Sequence, residues 1–212
     1  MQKLAKIEQY WQDPMFEDGM FTYPNLYKCM VDLFSDGCHF VEIGSWKGQS
    51  ASFMAVEINN SLKNIKFDCV DHWGDFAGTP NSEEHYVKNG ILYEKFLSNT
   101  ERVKHIINPV RLDSMTAVKN YEDRSLDFVF IDGDHNYDPV VADIKAWLPK
   151  IKHLGVLAGH DYGWCADVRR AVHDTLGDGV GKYEDRYGVG FSSYDDDHKE
   201  GCWVYQVEIS GE

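Results

Sequence analysis

No Cys-x-x-Cys pair occurs among the five cysteines, Cys29, Cys38, Cys69, Cys165 and Cys202, and an odd number leaves no complete pairing. That excludes the common zinc spacings and argues against a disulfide framework. Several of the five sit in apolar, strand-like runs, so buried free thiols in a reducing compartment are expected. No apolar stretch approaches 20 residues and no secretory leader is recognisable, so no membrane partner is expected and a cytoplasmic location follows as the expectation. Positive charge is scarce: 21 Lys and Arg stand against 35 Asp and Glu, a formal charge of −14. A polyanion would be repelled and no Lys/Arg stripe is visible, so the expected partner is a small molecule or sugar and not nucleic acid. Internal repeats, low-complexity tracts and domain linkers are also missing. The 212 residues suffice for one α/β domain with a sizeable core. The oligomeric state is left open, a homo-oligomer included.

What the chain does have is a chemistry-bearing turn. Phe40-Val-Glu-Ile-Gly44-Ser-Trp-Lys-Gly48-Gln-Ser50 runs from an apolar segment through two glycines into a helical pattern with Phe53, Met54, Val56 and Ile58. Strand, glycine turn and helix make the opening unit of a doubly wound α/β fold. The glycines are expected to let the backbone approach a ligand, and the helix start to offer free N–H groups. A dinucleotide fingerprint needs G-x-G-x-x-G, and Trp46 stands where its second glycine would be. Glu42, two residues before the turn, would repel a pyrophosphate and suits a ligand with hydroxyls or a nearby cation. S-adenosylmethionine (SAM) has no phosphate. The segment Glu42-x-Gly44-Ser-Trp46-x-Gly48-x-Ser50 resembles motif I of the class I SAM-dependent methyltransferases, in the catechol O-methyltransferase variant where an aromatic replaces the middle glycine. That resemblance implies that Glu42, Gly44 and Ser45 hold the amino acid part of SAM, with Trp46 beside it. A generic Rossmann-like turn without cofactor is the alternative for the motif taken alone.

Along the chain, strand-like and helical patterns alternate. Residues 1–36 are rich in aromatics, and Asn25 to Phe34 has helical spacing; this segment is expected to cap the sheet or cleft. Core packing is the preferred reading for most of those aromatics, while Trp11, Phe21 and Tyr23 could line a lid. Strands are expected at 40–43, 65–70, within 103–110, at 126–131 and at 155–158. Helices are expected at 82–98, from 114, at 140–151 and at 168–176. Gly188–Tyr194 and Cys202–Ile209 read as a carboxy-terminal β-hairpin, with Asp195-Asp-Asp197 at its solvated tip, and Gly177–Gly181 as a turn.

In such sheets ligands bind beyond the carboxyl ends of the strands. After the second strand comes Asp71-His72, an acid able to accept both ribose hydroxyls and a candidate partner for adenine; a helix-capping Asp71 is the alternative. After the third comes Asp113-Ser114, where Asp113 either meets the adenine amino group or caps the next helix. The fourth ends in Asp132-Gly-Asp134-His135-x-Tyr137 and the fifth in Gly159-His160-Asp161-Tyr162. Three carboxylates and two imidazoles together would be strongly perturbed without a cation. Carboxylates and water suit Mg²⁺, while imidazole widens the choice to Mn²⁺, Fe²⁺ or Zn²⁺.

This pair of motifs resembles the metal-dependent sugar O-methyltransferases of the macrocin and mycinamicin type. The resemblance spans about Phe40 to Tyr162. It implies an α/β, Rossmann-like methyltransferase fold with a mostly parallel seven-stranded sheet and a carboxy-terminal antiparallel hairpin. Residues 37–212 would form the methyltransferase domain and 1–36 its cap, in a single domain overall. Cofactor contacts fall on Glu42, Gly44, Ser45, Trp46, Asp71, His72, Asp113, Ser114 and Asp132. A divalent metal, Mg²⁺ foremost, falls on Asp132, His160 and Asp161, although His160 replaces the relatives' carboxylate. The base that collects a hydroxyl proton falls on His135 or Asp134. Rival readings are a metal-dependent hydroxylase or hydrolase using His135, His160 and Asp132, which leaves Glu42 and Asp71 without a task, and a non-catalytic SAM-binding module.

Overall fold

The computed structural model describes residues 5–16, 21–74, 90–177, 180–182 and 201–208. Seven strands form one sheet in the order β3-β2-β1-β4-β5-β7-β6. They are β1 His39–Ile43, β2 Lys66–Asp71, β3 Ile107–Arg111, β4 Leu126–Ile131, β5 Ile151–Gly159, β6 Gly181–Lys182 and β7 Trp203–Gln206. The first five run parallel. β7 lies antiparallel to β5, and β6 antiparallel to β7. The architecture is the α/β, Rossmann-like methyltransferase fold with an antiparallel pair at one edge.

Six helices are described: α1 Pro24–Leu33, α2 Gln49–Ser61, α3 Leu92–Asn99, α4 Ser114–Ala117, α5 Tyr137–Trp147 and α6 Ala166–Leu176. Strand side chains alternate between two faces, and both faces are covered, which is why all six residues of β4 are buried. Phe40, Phe67, Phe128, Phe130 and Ala158 pack with α1, α2 and α3. Val41, Ile43, Val129, Ile131 and Leu157 pack with α4, α5 and α6. The same alternation places Glu42, Asp71, Asp132 and His160 toward the α1/α2 face.

Some boundaries move for local reasons. The helix expected at 140–151 starts at Tyr137 and ends at Trp147; a single turn, Leu148–Lys150, follows, and Ile151 already belongs to β5. Pro149 lacks the N–H that would continue the helix. β5 extends back past Gly155 through a register shift opposite Leu126 and Phe128, with Leu154 at φ 62°. β3 starts at Ile107 and carries Pro109, which the sheet tolerates because β3 is an edge strand. The first expected hairpin strand, Gly188–Tyr194, the Asp195–Asp197 tip and residues 82–89 of the expected helix lie outside the described residues; the strand beside β7 is Gly181–Lys182. All five cysteines are free. Among the described residues, no helix is long and apolar enough to cross a membrane.

Candidate active site

The strand order reverses between β1 and β4, so a crevice opens beyond their carboxyl ends. Gly44 ends β1 at φ 86°. Its missing Cβ would stand 2.0 Å from the Asp132 carbonyl oxygen and 2.9 Å from the Gly133 Cα. The protein's own β4–α5 turn therefore already requires a glycine at this position. Gly48, at φ 83°, starts α2, and a Cβ there would meet the Thr100 methyl at 2.7 Å.

Glu42 lies beneath the turn and is 1% exposed. The Tyr27 hydroxyl donates to its Oε1 at 2.7 Å and the Ser45 hydroxyl to its Oε2 at 2.8 Å. Burial raises the Glu42 carboxyl to about 7 against the pull of the Ser50, Tyr27 and Ser45 hydroxyls. Glu42 and Ser45 thus shape the turn from within. Asp71 joins two loops: its carboxylate accepts the Trp46 amide at 2.9 Å and the Trp73 amide at 2.7 Å. Burial raises its carboxyl, and those two amides counter the rise. The Trp73 indole N–H donates to the Trp46 carbonyl at 2.8 Å. Trp46 and Trp73 both sit at φ 45°, a region that costs a bulky residue strain and recurs at functional sites.

Three other candidates are occupied locally. The exposed His72 accepts the Gly74 amide on Nδ1 at 2.9 Å. Asp113 caps α4, accepting the Thr116 amide at 3.0 Å, the second of the two roles expected of it. Ser114 donates to Asp143 and accepts the Trp147 indole N–H at 2.8 Å, so it fastens α4 to α5.

The ends of β4 and β5 converge as expected. Ligand atoms of Asp132, His135 and Asp161 all lie within 4.8 Å of one another. His135 Nε2 is 2.8 Å from an Asp161 oxygen. His160 Nδ1 lies 3.0 Å from the other Asp161 oxygen and 3.5 Å from Asp132. The Trp164 indole N–H also donates to Asp161, at 2.7 Å. Burial alone would raise the Asp161 carboxyl, but hydrogen bonds from His135 and His160 hold it well below the carboxylate range. Burial works to lower His160, yet Asp132 and Asp161 push it up to about 10. The hydrogen bond to Asp161 raises His135. Asp134 is turned to its own loop, accepting the Asn136 amide at 2.7 Å. The compact group therefore contains His135, expected as a base, while the expected ligand His160 stands beside it. Two carboxylate oxygens and an imidazole nitrogen at this spacing, roughly twice a metal–oxygen bond, fit a divalent cation.

Sequence reasoning passed over the partners from the amino-terminal segment. The Tyr23 hydroxyl donates to Asp132 at 2.7 Å, and Thr22 Oγ1 lies 3.0 Å from His160 Nε2. Trp11 instead packs on Phe21 and Phe53 as core. A signal was present: Tyr23, at the N-cap of α1, and Tyr27 in its first turn are four residues apart and both meet the Glu42 side of the sheet.

Known proteins carry the same framework. Uncharacterized protein R132 of Acanthamoeba polyphaga mimivirus is 28% identical over 183 residues, which span 82% of this chain and 76% of that one. The O-methyltransferase NovP superposes with a TM-score of 0.61 at 13% identity, over 89% of this chain and 80% of that one. A putative rRNA-methylase from Clostridium thermocellum does so with a TM-score of 0.56 at 10% identity, over 88% of this chain and 97% of that one. At such identities the structures share the fold, and the acceptor has to be argued from the site. A family model described as a methyltransferase domain matches residues 41–162, from β1 through the Asp161 motif. More than half of the sequence fits that description, and the chain belongs to this methyltransferase family.

Proposed function

We propose that the protein transfers a methyl group from SAM to a hydroxyl of a small molecule or sugar, with a divalent cation of the Mg²⁺ kind assisting. The observation that carries this reading is the Asp132–His135–Asp161 group at the ends of β4 and β5, beside the glycine turn. Bound SAM supplies the methyl group on its sulfonium. Asp71 accepts the ribose hydroxyls while it keeps the Trp46 and Trp73 loops together. The Trp46 loop, supported from below by Glu42 and Ser45, walls the amino acid end.

A cation held by Asp132, Asp161 and, where His135 serves as the base, His160 would draw two neighbouring hydroxyls together and make one more acidic. Among the chain's own residues, we assign His135 to receive that proton. The hydrogen bond to Asp161 raises the affinity of His135 for a proton. With Asp132 and Asp161 holding a cation, the His135 imidazole would be the group able to accept the hydroxyl proton. Asp134, in the same loop, is the second candidate for that role. The formal charge of −14 supports an uncharged acceptor over a nucleic acid.

The test is methyl transfer from SAM to a panel of vicinal diols, methyl glycosides and catechol, read as released S-adenosylhomocysteine. Turnover should stop on exhaustive chelation and return with Mg²⁺ or Mn²⁺. Turnover indifferent to chelation would refute the metal role, and transfer confined to nitrogen acceptors would refute O-methylation.

A further inference from the structure

The two residues that precede α1 reach furthest beyond their own segment. Tyr23 is 3% exposed. Its ring packs on Phe130 at 4.6 Å, on Phe21 at 4.7 Å and on His160 at 4.8 Å between centroids. Held on three sides, the ring has no freedom to swing, and its hydroxyl ends 2.7 Å from Asp132 Oδ2. The neighbouring residue points its hydroxyl at a second member of the same cluster: Thr22 Oγ1 lies 3.0 Å from His160 Nε2. That is the ring nitrogen turned away from the carboxylates, since Nδ1 faces Asp161 and Asp132. Packing alone needs neither hydroxyl. Two consecutive side chains aimed at two members of one charged cluster, 109 and 138 residues away in sequence, have the form of outer partners that orient ligand groups.

We infer that Tyr23 and Thr22 are positioning residues for the candidate metal centre, the phenol fixing the Asp132 carboxylate and the threonine hydroxyl fixing the His160 ring. This rests on the metal reading above and adds that the amino-terminal segment completes the centre. A carboxylate with one oxygen tied to a rigid phenol presents its other oxygen in a set direction. An imidazole whose Nε2 is engaged by Thr22 keeps Nδ1 toward the cluster. Loss of such an outer partner typically weakens metal binding by roughly 10–100-fold.

The experiment measures Mn²⁺ binding by electron paramagnetic resonance, with SAM binding by calorimetry on the same samples. Tyr23→Phe keeps the ring contacts and deletes only the hydroxyl. It should weaken Mn²⁺ binding by about 10-fold or more and leave SAM affinity within about twofold. Thr22→Val should weaken Mn²⁺ in the same direction, and Thr22→Ser, which restores the hydroxyl, should bind as the unaltered protein does. A merely structural role would not separate valine from serine in this way. If the unaltered protein binds Mn²⁺ and both Tyr23→Phe and Thr22→Val bind it equally well, the positioning role is overturned and the metal reading stands. If the unaltered protein binds no Mn²⁺, the metal reading falls and this inference falls with it.

Discussion

Gly44→Ala offers a direct test of how the turn is built. Two costs arise there, and the structure separates them. The first is the backbone: Gly44 sits at φ 86°, where an L-residue loses roughly 1–2 kcal/mol. The second is contact. The added Cβ would meet the Asp132 carbonyl oxygen at 2.0 Å and its carbon at 2.5 Å, when contacts under 3.0 Å are essentially never seen. Both obstacles are backbone, so no rotamer change relieves them, and the β4–α5 turn must retreat by roughly 1 Å. Overpacking of this kind costs roughly 1–3 kcal/mol more. Gly37 is the control: its φ is 85°, but nothing lies within 4 Å of a Cβ built there. In urea unfolding, Gly37→Ala should lose about 1–2 kcal/mol and Gly44→Ala about 2–5 kcal/mol. Gly44→Ala should also bind Mn²⁺ less tightly, because the displaced turn carries Asp132. Equal losses in the two variants would refute the close approach of the two turns.

Two further outcomes follow from the acids on the α1/α2 face. Asp71→Ala should weaken SAM by roughly 1–3 kcal/mol, the range for losing charge-assisted hydrogen bonds, and calorimetry giving an unchanged affinity would rule out the ribose role. For Glu42, burial raises the folded-state carboxyl from 4.5 to about 7. The folded protein then holds a proton that the unfolded chain has already released, so this contribution is complete below about pH 4.5 and is lost as pH rises through about 7. The gap amounts to about 3 kcal/mol at most. Glu42→Gln should therefore gain on the unaltered protein between pH 5 and 8. The depressed Asp161 acts with the opposite sign but is common to both proteins and cancels in the comparison. Parallel unfolding free energies across that range would sink the raised Glu42 carboxyl.

Element types were legible because apolar periodicity is a local property. β4 and β1 could be read from six or seven residues, and the order of elements led to the parallel sheet. Exact ends were less accessible. The stop at Trp147 depends on Pro149, which the periodicity of Val140, Ile144 and Leu148 masks. The irregular start of β5 depends on its register against β4, a relation between strands 25 residues apart. At the site, the convergence of the Asp132 and Asp161 motifs was readable from their places after two strands. The place of His135 inside the compact group was not, because it turns on loop geometry: His135 folds back from its loop onto Asp161, while His160 follows β5 and lies beside both carboxylates.

The roles of Glu42 and the glycines show where sequence logic needs a third dimension. Glycine spacing says that a Cβ is forbidden, but not by what, and at Gly44 the obstacle is the protein's own chain. An acid two residues before a turn announces an unusual group, but period-two alternation decides where it points. Glu42 shares the face of Phe40, and Asp132 shares the face of Phe128 and Phe130, so both turn toward α1. The segment lying on that face has to bring a donor to the buried Glu42, because an unpaired buried carboxylate is costly, and it brings one to the half-buried Asp132 as well. Tyr27 meets Glu42 and Tyr23 meets Asp132, one helical turn apart. Applied to the sequence, strand parity and the four-residue spacing would have turned Tyr27 from core filler, and Tyr23 from a lid residue, into partners of the two acids. The amino-terminal segment is thus part of the site's own hydrogen-bonding, its two phenols tying Glu42 beneath the glycine turn and Asp132 at the end of β4 to one stretch of chain.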